Sequence, residues 1–488
     1  MAGNNLKKNA LLNGIKTISS IIFPLITFPY IMRVLMPDNV GKVNFGLSVV
    51  SYFSLIATLG MSTYAVRECA RVKSDKDSLS KTASQLFSIN ICTTVIAYVL
   101  LAITLLFFRE LDNYRTLIII QSTSILFTAI GTDWLNSAME DFGYITARTV
   151  AFQIVSLILM FLFVKDADDY IIYAVIMVFS GSGANIVNIW YRRRFCNVRF
   201  TSDMELKRHS GPILAFFAMV FSTTIFANAD NTMLGLMVGD HEVGLYSSAH
   251  KIVHIVSQLV QSIIFVLIPR LSIYFSNNDF ENANKLLRKL LNFNISLGLP
   301  CVTGIIMVAS DAILVFAGEE YVGAASVLRI MILSFAFSLV GGSFLGNGIL
   351  LPMGQENYYM KVCLITAACN VILNYIFIPM FQADAAAATS AFNGFLIFIL
   401  LLLRVDKRIK IKNIGKVFFS PVIGCFCIVL VCLMLQGISN LYIRLILSVG
   451  LSVITYGIVL LLLKNEIVIE IIDMLKKKLK KQANGDCI

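Results

Sequence analysis

Apolar runs of membrane-spanning length partition the chain, and they restrict its fold more than any other feature. A helix needs about 20 apolar residues to cross a ~30 Å hydrocarbon layer. About fourteen such runs lie near 14–34, 42–63, 84–108, 116–138, 146–164, 170–190, 211–235, 243–268, 290–317, 326–350, 359–379, 384–403, 416–436 and 440–463. The connections between them are too short to fold as domains of their own. In hydrocarbon each span must satisfy its own backbone polar groups, so helices are expected. The runs are continuous rather than alternating, which excludes a transmembrane barrel. Composition agrees: 57% of residues are hydrophobic and 14% charged, where soluble domains run near ~45–50% and ~25%. The fold class implied is an all-α polytopic membrane protein.

The formal net charge of +11 collects in short connections: "VRECARVK", "YRRRFCNVR", "LRVDKRIKIKNIGK" and the tail "LKKKLKK". Connections after even-numbered spans carry Arg67, Arg71, Lys73, Arg192–Arg194, Arg270, Arg288, Arg404 and Lys407, whereas those after odd-numbered spans hold "KDADDY", "GDHEVG" and "GEEY". Lys and Arg mark cytoplasmic helix ends, so both termini are expected in the cytoplasm. No soluble domain is present to carry a nucleic-acid patch. The opening "MAGNNLKKNALLNGIKTISSIIFPLITFPYIMRVL" has no small-residue cleavage site after its apolar core, and reads as a retained first span. The ten cysteines show no CxxC, metal or disulfide-framework spacing and read as small apolar fillers. No nucleophile–base pair, Walker loop or Rossmann fingerprint occurs, and "GSGAN" (181–185) lies within a span and follows no strand. Neither an enzyme, nor a cofactor, nor ATP-driven pumping is expected.

The chain also echoes itself. "LMPDNVGKVNF" around Gly41 returns as "MVGDHEVGLYS" around Gly244, an offset of 244 − 41 = 203, and Arg67 and Arg270 share that offset. "MEDFGYI" and "GQENYYM" align through Tyr144 and Tyr359, an offset of 359 − 144 = 215. Spans 1–6 therefore read as repeated in spans 7–12. The expected organisation is a six-helix half over 1–200, a second over 201–410, and a helix pair with a basic cytoplasmic tail over 411–488. An even number of spans per repeat gives both halves the same orientation, related by a pseudo-twofold axis along the membrane normal, with a central cleft between them.

Polar stripes run inside the spans. Asn44, Ser48, Ser51, Thr58 and Ser62 share one helix face, and adding 203 to 44, 48, 51 and 58 gives Ser247, Lys251, His254 and Gln261. The second stripe also carries Gln258, with His250 beside it. The Ser and Thr hydroxyls have an alternative use, bonding their own helix backbone. Lys251 does not: a Lys near a span centre costs about 2.5–3.5 kcal/mol to insert, which points to a wet cavity or an ion pair. His250 and His254 stand four apart without a third ligand, so no metal is expected. Asp230 sits in "FANADNTML" within an apolar run, either paired with Lys251 or holding a cation or proton. Asn370 and Asn374, one turn apart, supply neutral oxygens, and Ala385–Ala388 allow close helix packing. "TDWLNSAMEDFGYITAR" (132–148) breaks the apolar pattern with Asp133, Trp134, Glu140 and Arg148. Pairing of Asp133 and Glu140 with Arg148 at a helix end is expected there.

These motifs resemble those of Wzx-type polysaccharide flippases, in the superfamily that also holds multidrug exporters and the lipid II flippase. "FPYIMRVLMPDNVGKVNF" (28–45) resembles the family's first-span signature, and the 132–148 stretch its fourth-span motif. "ADNTMLGLMVGDHEVGLYSSAHKI" resembles its seventh-to-eighth-span connection, and "NVILNYIFIPMFQADAAAATS" its segment of spans 11–12. The likeness covers roughly residues 10–405. Ala138 and Ala385 stand where the family often has Gly. The resemblance implies about fourteen transmembrane helices in two pseudo-symmetric halves plus a C-terminal pair, in the bacterial inner membrane. It implies alternating-access translocation of an undecaprenyl-diphosphate-linked oligosaccharide for O-antigen, capsule or exopolysaccharide synthesis. A polysaccharide polymerase is the implied partner. Lys251, His250, His254, Arg67, Arg270, Ser48, Ser51, Gln258 and Gln261 would then line the headgroup cleft. Asp230, Asn370 and Asn374 would form a Na⁺ or H⁺ coupling site, and Asp133, Trp134, Glu140 and Arg148 a cytoplasmic gate. The rival readings are a multidrug or cation antiporter or lipid II flippase of the same superfamily, and a membrane scaffold for polysaccharide enzymes that transports nothing.

Overall fold

The computed structural model describes residues 2–261, 264–469 and 472. The basic tail at 475–481 lies outside the described residues. All regular elements among the described residues are helical. In chain order they are α1 (Ala2–Thr58), α2 (Met61–Arg71), α3 (Lys76–Phe107), α4 (Arg115–Gly131), α5 (Asp133–Ala138), α6 (Phe142–Phe163), α7 (Tyr170–Val178) and α8 (Ala184–Tyr191). Then follow α9 (Leu206–Met237), α10 (Asp240–Gln261), α11 (Ile264–Ser276), α12 (Phe280–Phe316), α13 (Ala324–Ser338), α14 (Glu356–Leu402), α15 (Ile414–Leu435) and α16 (Leu441–Leu462). A π-turn at Phe179–Gly183 joins α7 to α8, and α13 continues into a π stretch over Leu339–Leu350.

Among the described residues, ten helices are long and apolar enough to cross a membrane, against about fourteen spans read from the sequence. The difference falls at four identifiable places. The first two expected spans are the two helical stretches of α1, which the non-helical Met36 (φ 62°, ψ 168°) divides just before Pro37. The eleventh and twelfth are the two helical stretches of α14, divided by the non-helical Gln382 (φ 54°, ψ −131°) just after Pro379. A proline removes a backbone donor and crowds the preceding turn, so at each of these residues the helical path is broken and a second helical stretch begins. The fourth span stops at Thr132, which takes a left-handed φ of 50° and separates α4 from α5. The eighth is divided between α10 and α11.

The chain forms two compact units: one of residues up to Ser247 together with Asn374–Gln382, the other of Ser248–Leu373 together with the chain from Ala383 onward. In the first unit polar side chains share the buried face of a helix with apolar ones, while large apolar residues face outward. On α3, Ser84, Gln85, Ser88, Asn90 and Thr94 are buried, while Val95, Ile96, Val99, Leu106 and Phe107 are exposed. Lipid solvates the apolar face, and the polar face satisfies neighbouring backbone. Asn90 Nδ2 donates to the Ala57 carbonyl at 2.8 Å and Thr93 Oγ1 donates to the same oxygen at 2.6 Å. That carbonyl belongs to the last turn of α1, where no intrahelical donor remains.

The echo in the sequence is a contact in the first unit. A methyl group placed on Gly41 would stand 2.6 Å from the Asp240 carbonyl carbon. One placed on Gly244 would stand 2.7 Å from the Pro37 carbonyl carbon. Adding 203 to 37 and 41 gives 240 and 244, so α1 and α10 cross by the same residues read in both directions. Reciprocal contact of this kind is the signature of a local twofold relation. The second unit packs α11, α12 and the π stretch around Leu271, Leu287, Leu290, Phe344 and Ile349. Behind them α15 and α16 pack through Cys425, Ile428, Cys432 and Tyr456.

Candidate functional site

A buried polar cluster inside the first unit is built on α9. Asp230 is 3% exposed, and its two carboxylate oxygens accept separate hydrogen bonds. Tyr246 donates its hydroxyl to Oδ2 at 2.5 Å, and Asn374 donates Nδ2 to Oδ1 at 2.6 Å. Half a turn on, Thr232 Oγ1 donates to Ser48 Oγ at 2.8 Å and lies 3.1 Å from the Tyr52 hydroxyl. Ser247 Oγ donates to Asn231 Oδ1 at 3.2 Å. A carboxylate is acceptor-only, so it organises donors around itself. The sequence named Asp230 and Asn374 together, and the structure brings them into direct contact. It adds Tyr246, Tyr52 and Thr232, which carried no sequence signal that set them apart from lipid-facing residues. Asn370 belongs to the second unit and is 1% exposed.

Hydroxyls of the first stripe are largely taken up locally. Ser48 donates to the Phe45 carbonyl at 2.7 Å, Ser51 to that of Ser48 at 2.6 Å, and Thr58 to that of Ser54 at 2.9 Å. The second stripe differs. Lys251, His250 and His254 are exposed on α10, with Gln258 Nε2 3.4 Å from His254 Nε2. The two imidazole rings lie 6.0 Å apart. Gln261, half-buried, ends that helix, and the exposed Arg270 follows on α11. Arg67 is exposed as well, but its guanidinium is 3.3 Å from the Glu68 carboxylate and lies over the Tyr64 and Phe216 rings. Beside it Tyr64 shares a 2.8 Å hydrogen bond with His209, which is fully buried, and His209 Nε2 is 3.3 Å from Gln85.

The 132–148 break resolves into the six-residue α5 between two left-handed residues, Thr132 (φ 50°) and Glu140 (φ 60°). Backbone strain of this kind persists only where the surroundings hold it. Arg192 Nη1 donates to the Ile130 carbonyl at 2.8 Å and to Thr132 Oγ1 at 3.0 Å. Asn188 donates to the Gly131 carbonyl at 2.6 Å and accepts from Asn136 at 2.7 Å. Asp133 pairs with Arg148, as the sequence suggested. Glu140 does not: its carboxylate is 2.7 Å from Lys73 Nζ. The turn after α5 carries Glu140 to the connection between α2 and α3, and the spacing of eight to Arg148 sets no contact across that turn. Arg148 instead reaches the Ala184 carbonyl and lies over the Tyr144 ring, which is stacked on Tyr191 with centroids 3.4 Å apart. Trp134 packs into the core formed by Met61, Tyr64, Cys69 and Leu86. Among the described residues no group of three His, Cys, Asp or Glu side chains is placed to hold a metal ion.

Comparison with known proteins places this architecture. The fold matches a lipid II flippase, MurJ, in an inward closed conformation, with a TM-score of 0.72 at 15% identity over 93% of this chain and 98% of that one. It matches an inward-facing multidrug resistance MATE family transporter with a TM-score of 0.58 at 13% identity, over 78% and 96% of the two chains. In sequence the chain is 22% identical to a putative O-antigen transporter of Shigella dysenteriae, over 81% of this chain and 99% of the relative. It is 23% identical to the capsular polysaccharide biosynthesis protein CapF of Staphylococcus aureus, over 76% and 91%. The MatE family matches residues 215–376, and the family described as "Polysaccharide biosynthesis protein" matches residues 6–275. That second match takes in more than half of the 488 residues, and with it the chain belongs to the polysaccharide biosynthesis protein family.

Proposed function

We propose that the chain is a flippase for polyprenyl-diphosphate-linked oligosaccharide, serving O-antigen, capsule or exopolysaccharide assembly in the inner membrane. The observation that carries the reading is the exposed face of α10 that carries Lys251, with His250 and His254 beside it. The relatives named as an O-antigen transporter and a capsular polysaccharide protein support it. A sugar diphosphate cannot cross hydrocarbon unaided, whereas its polyprenyl tail never has to leave it. Lys251 meets the diphosphate, because charge-assisted contacts to phosphate are stronger than neutral ones. The two repeats alternate access to the two faces, with both termini in the cytoplasm and Na⁺ or H⁺ at Asp230 as the driving ion. A polysaccharide polymerase outside consumes the product.

The test is translocation of a fluorescent polyprenyl-diphosphate sugar in proteoliposomes. The full chain should move the headgroup, and Lys251→Gln should reduce the rate more than Ser48→Ala, its repeat partner. Equal, mild effects of the two changes would remove the headgroup role. The match of residues 215–376 to the MatE family favours a second reading, a multidrug or cation antiporter. Proton-coupled export of a lipophilic cation, with no movement of the sugar lipid, would establish that reading instead.

A further inference from the structure

The C-terminal helix pair holds a cavity that the proposed transport cycle does not use. It has a volume of about 360 Å³ and is lined by Asn292, Lys416, Ser420, Lys464, Asn465 and Glu466, with Phe419 and Leu463 on its apolar side. These residues come from the first part of α12, the start of α15 and the chain just after α16, at one end of a three-helix packing. Small-molecule sites span ~300–1,000 Å³, so the space suits a headgroup rather than a single ion.

Its polar groups are donors left over after the protein's own bonds are made. Asn292 is 3% exposed; its Oδ1 accepts from Ser296 at 3.0 Å, and its Nδ2 has no partner among the described residues. Asn465 donates to Ser420 Oγ at 2.9 Å and accepts from the Ile467 backbone at 3.0 Å, which leaves the Ser420 hydroxyl proton without an acceptor among the described residues. Lys416 and Lys464 are exposed, and neither ammonium has an acceptor there. The one acid, Glu466, is taken by Arg288. A site of two free ammoniums and two uncommitted neutral donors, its carboxylate already neutralised, selects an acceptor-only anion. The neighbouring surface is lipid-facing: Phe419 is 60% exposed, and Val422 and Leu462 are exposed beside it. The flanking connection 404–413 is basic, as at the leaflet where anionic lipids collect.

We propose that this cavity binds the phosphodiester headgroup of an anionic phospholipid, with Lys416 and Lys464 on the phosphate, Asn292 and Ser420 beneath it, and the acyl chains along α15 and α16. The site is independent of the headgroup face on α10. Native mass spectrometry of the full chain, titrated with phosphatidylglycerol, phosphatidylcholine of the same acyl chains and glycerol 3-phosphate, tests it. Phosphatidylglycerol should bind and phosphatidylcholine should not compete. Lys416→Gln combined with Lys464→Gln should weaken phosphatidylglycerol binding roughly thirty-fold, at about 1 kcal/mol for each cation. Lys407→Gln combined with Lys412→Gln, on the exposed connection, should leave it unchanged. If the double cavity variant does not accumulate, Lys464→Gln alone should weaken binding about five-fold. Equal binding of the two phospholipids, or unchanged binding by the cavity variants, overturns the proposal. Saturation by glycerol 3-phosphate at the lipid's own concentration overturns it too, making the cavity a soluble-phosphate site.

Discussion

The carboxylate of Asp230 accepts a 2.6 Å hydrogen bond from the side-chain amide of Asn374, 144 residues further along the chain. The amide must present Nδ2, since the carboxylate offers only acceptors. A cation at Asp230 would need Asn374 to turn its oxygen inward and Tyr246 to release its hydroxyl bond. Coupling by this cluster therefore means switching between a hydrogen-bonded form and an ion-bound form. Asp230→Asn sets one amide against another and removes the charge a cation needs. The expected outcome is a folded protein at normal level whose transport ignores Na⁺ and pH gradients. If the variant is merely unstable, and Lys251→Gln added to it restores both level and gradient response, Asp230 is a structural partner and not a coupling residue.

The two acids of the 132–148 motif should separate cleanly. Arg148 is nearly buried, its side chain 6% exposed, and Asp133 is its anion. Glu140 and Lys73 are both solvent-facing, at 58% and 42%. Asp133→Ala leaves an uncompensated guanidinium under the fold and should cost about 1–3 kcal/mol. Glu140→Ala should cost less than about 1 kcal/mol, as exposed ion pairs do. Unfolding midpoints of the two purified variants make the comparison, and equal losses would show that Arg148 does not depend on Asp133.

What the sequence made legible was whatever has a length or a period. Apolar runs marked the helices, and the 203-residue offset paired the stretch around Gly41 with the stretch around Gly244 as repeats, though not as neighbours in contact. The path of the chain at kinks was not legible. Pro37 and Pro379 announce a break, and Met36 and Gln382 leave the helical region beside them, but the direction in which the next helix sets off depends on what packs there. Partners of single charges were hidden for another reason. Lys73 lies 67 residues from Glu140, and no local spacing encodes so distant a meeting. Tyr246 was missed because a tyrosine in a span looks the same whether its hydroxyl meets a carboxylate or an interface. Asp230 was found because a carboxylate in hydrocarbon demands an explanation.

Glu205, just before α9, gives the fold an acid-sensitive contact. Its carboxyl is held well below the ordinary 4.5, at about 2, first by the hydrogen bond from Lys81, then by Gln85 and Arg208. A carboxylate depressed in the folded state stabilises it fully above its unfolded pKa. That stabilisation is lost as pH falls through the folded value. The contribution should therefore disappear between about pH 4.5 and about pH 2. Glu205→Gln should be less stable than the parent at neutral pH and should lose less on acidification across that window. Parallel melting curves for the two proteins down to about pH 2 would show that Glu205 does not carry the effect.

The crossing of α1 and α10 makes the sharpest mechanical prediction, because its two glycines are reciprocal. Alanine at Gly41 meets the Asp240 carbonyl and alanine at Gly244 meets the Pro37 carbonyl, both backbone groups within or beside helices that cannot swing aside as a side chain does. Overpacking of this kind costs about 1–3 kcal/mol. It is offset by the gain of up to about 1 kcal/mol that alanine brings to a helix. Each single variant should be destabilised, and by similar amounts. Gly450 on α16 has open space where its methyl would go, so Gly450→Ala should be neutral or slightly stabilising. The first alanine forces the two helices apart, and the second then finds room already made. Gly41→Ala combined with Gly244→Ala should therefore lose less than the sum of the singles, the non-additivity expected of residues sharing one contact. Thermal unfolding of the three variants beside the parent reads this directly. Strict additivity would mean that the two close approaches are independent and that the crossing does not act as a single paired contact.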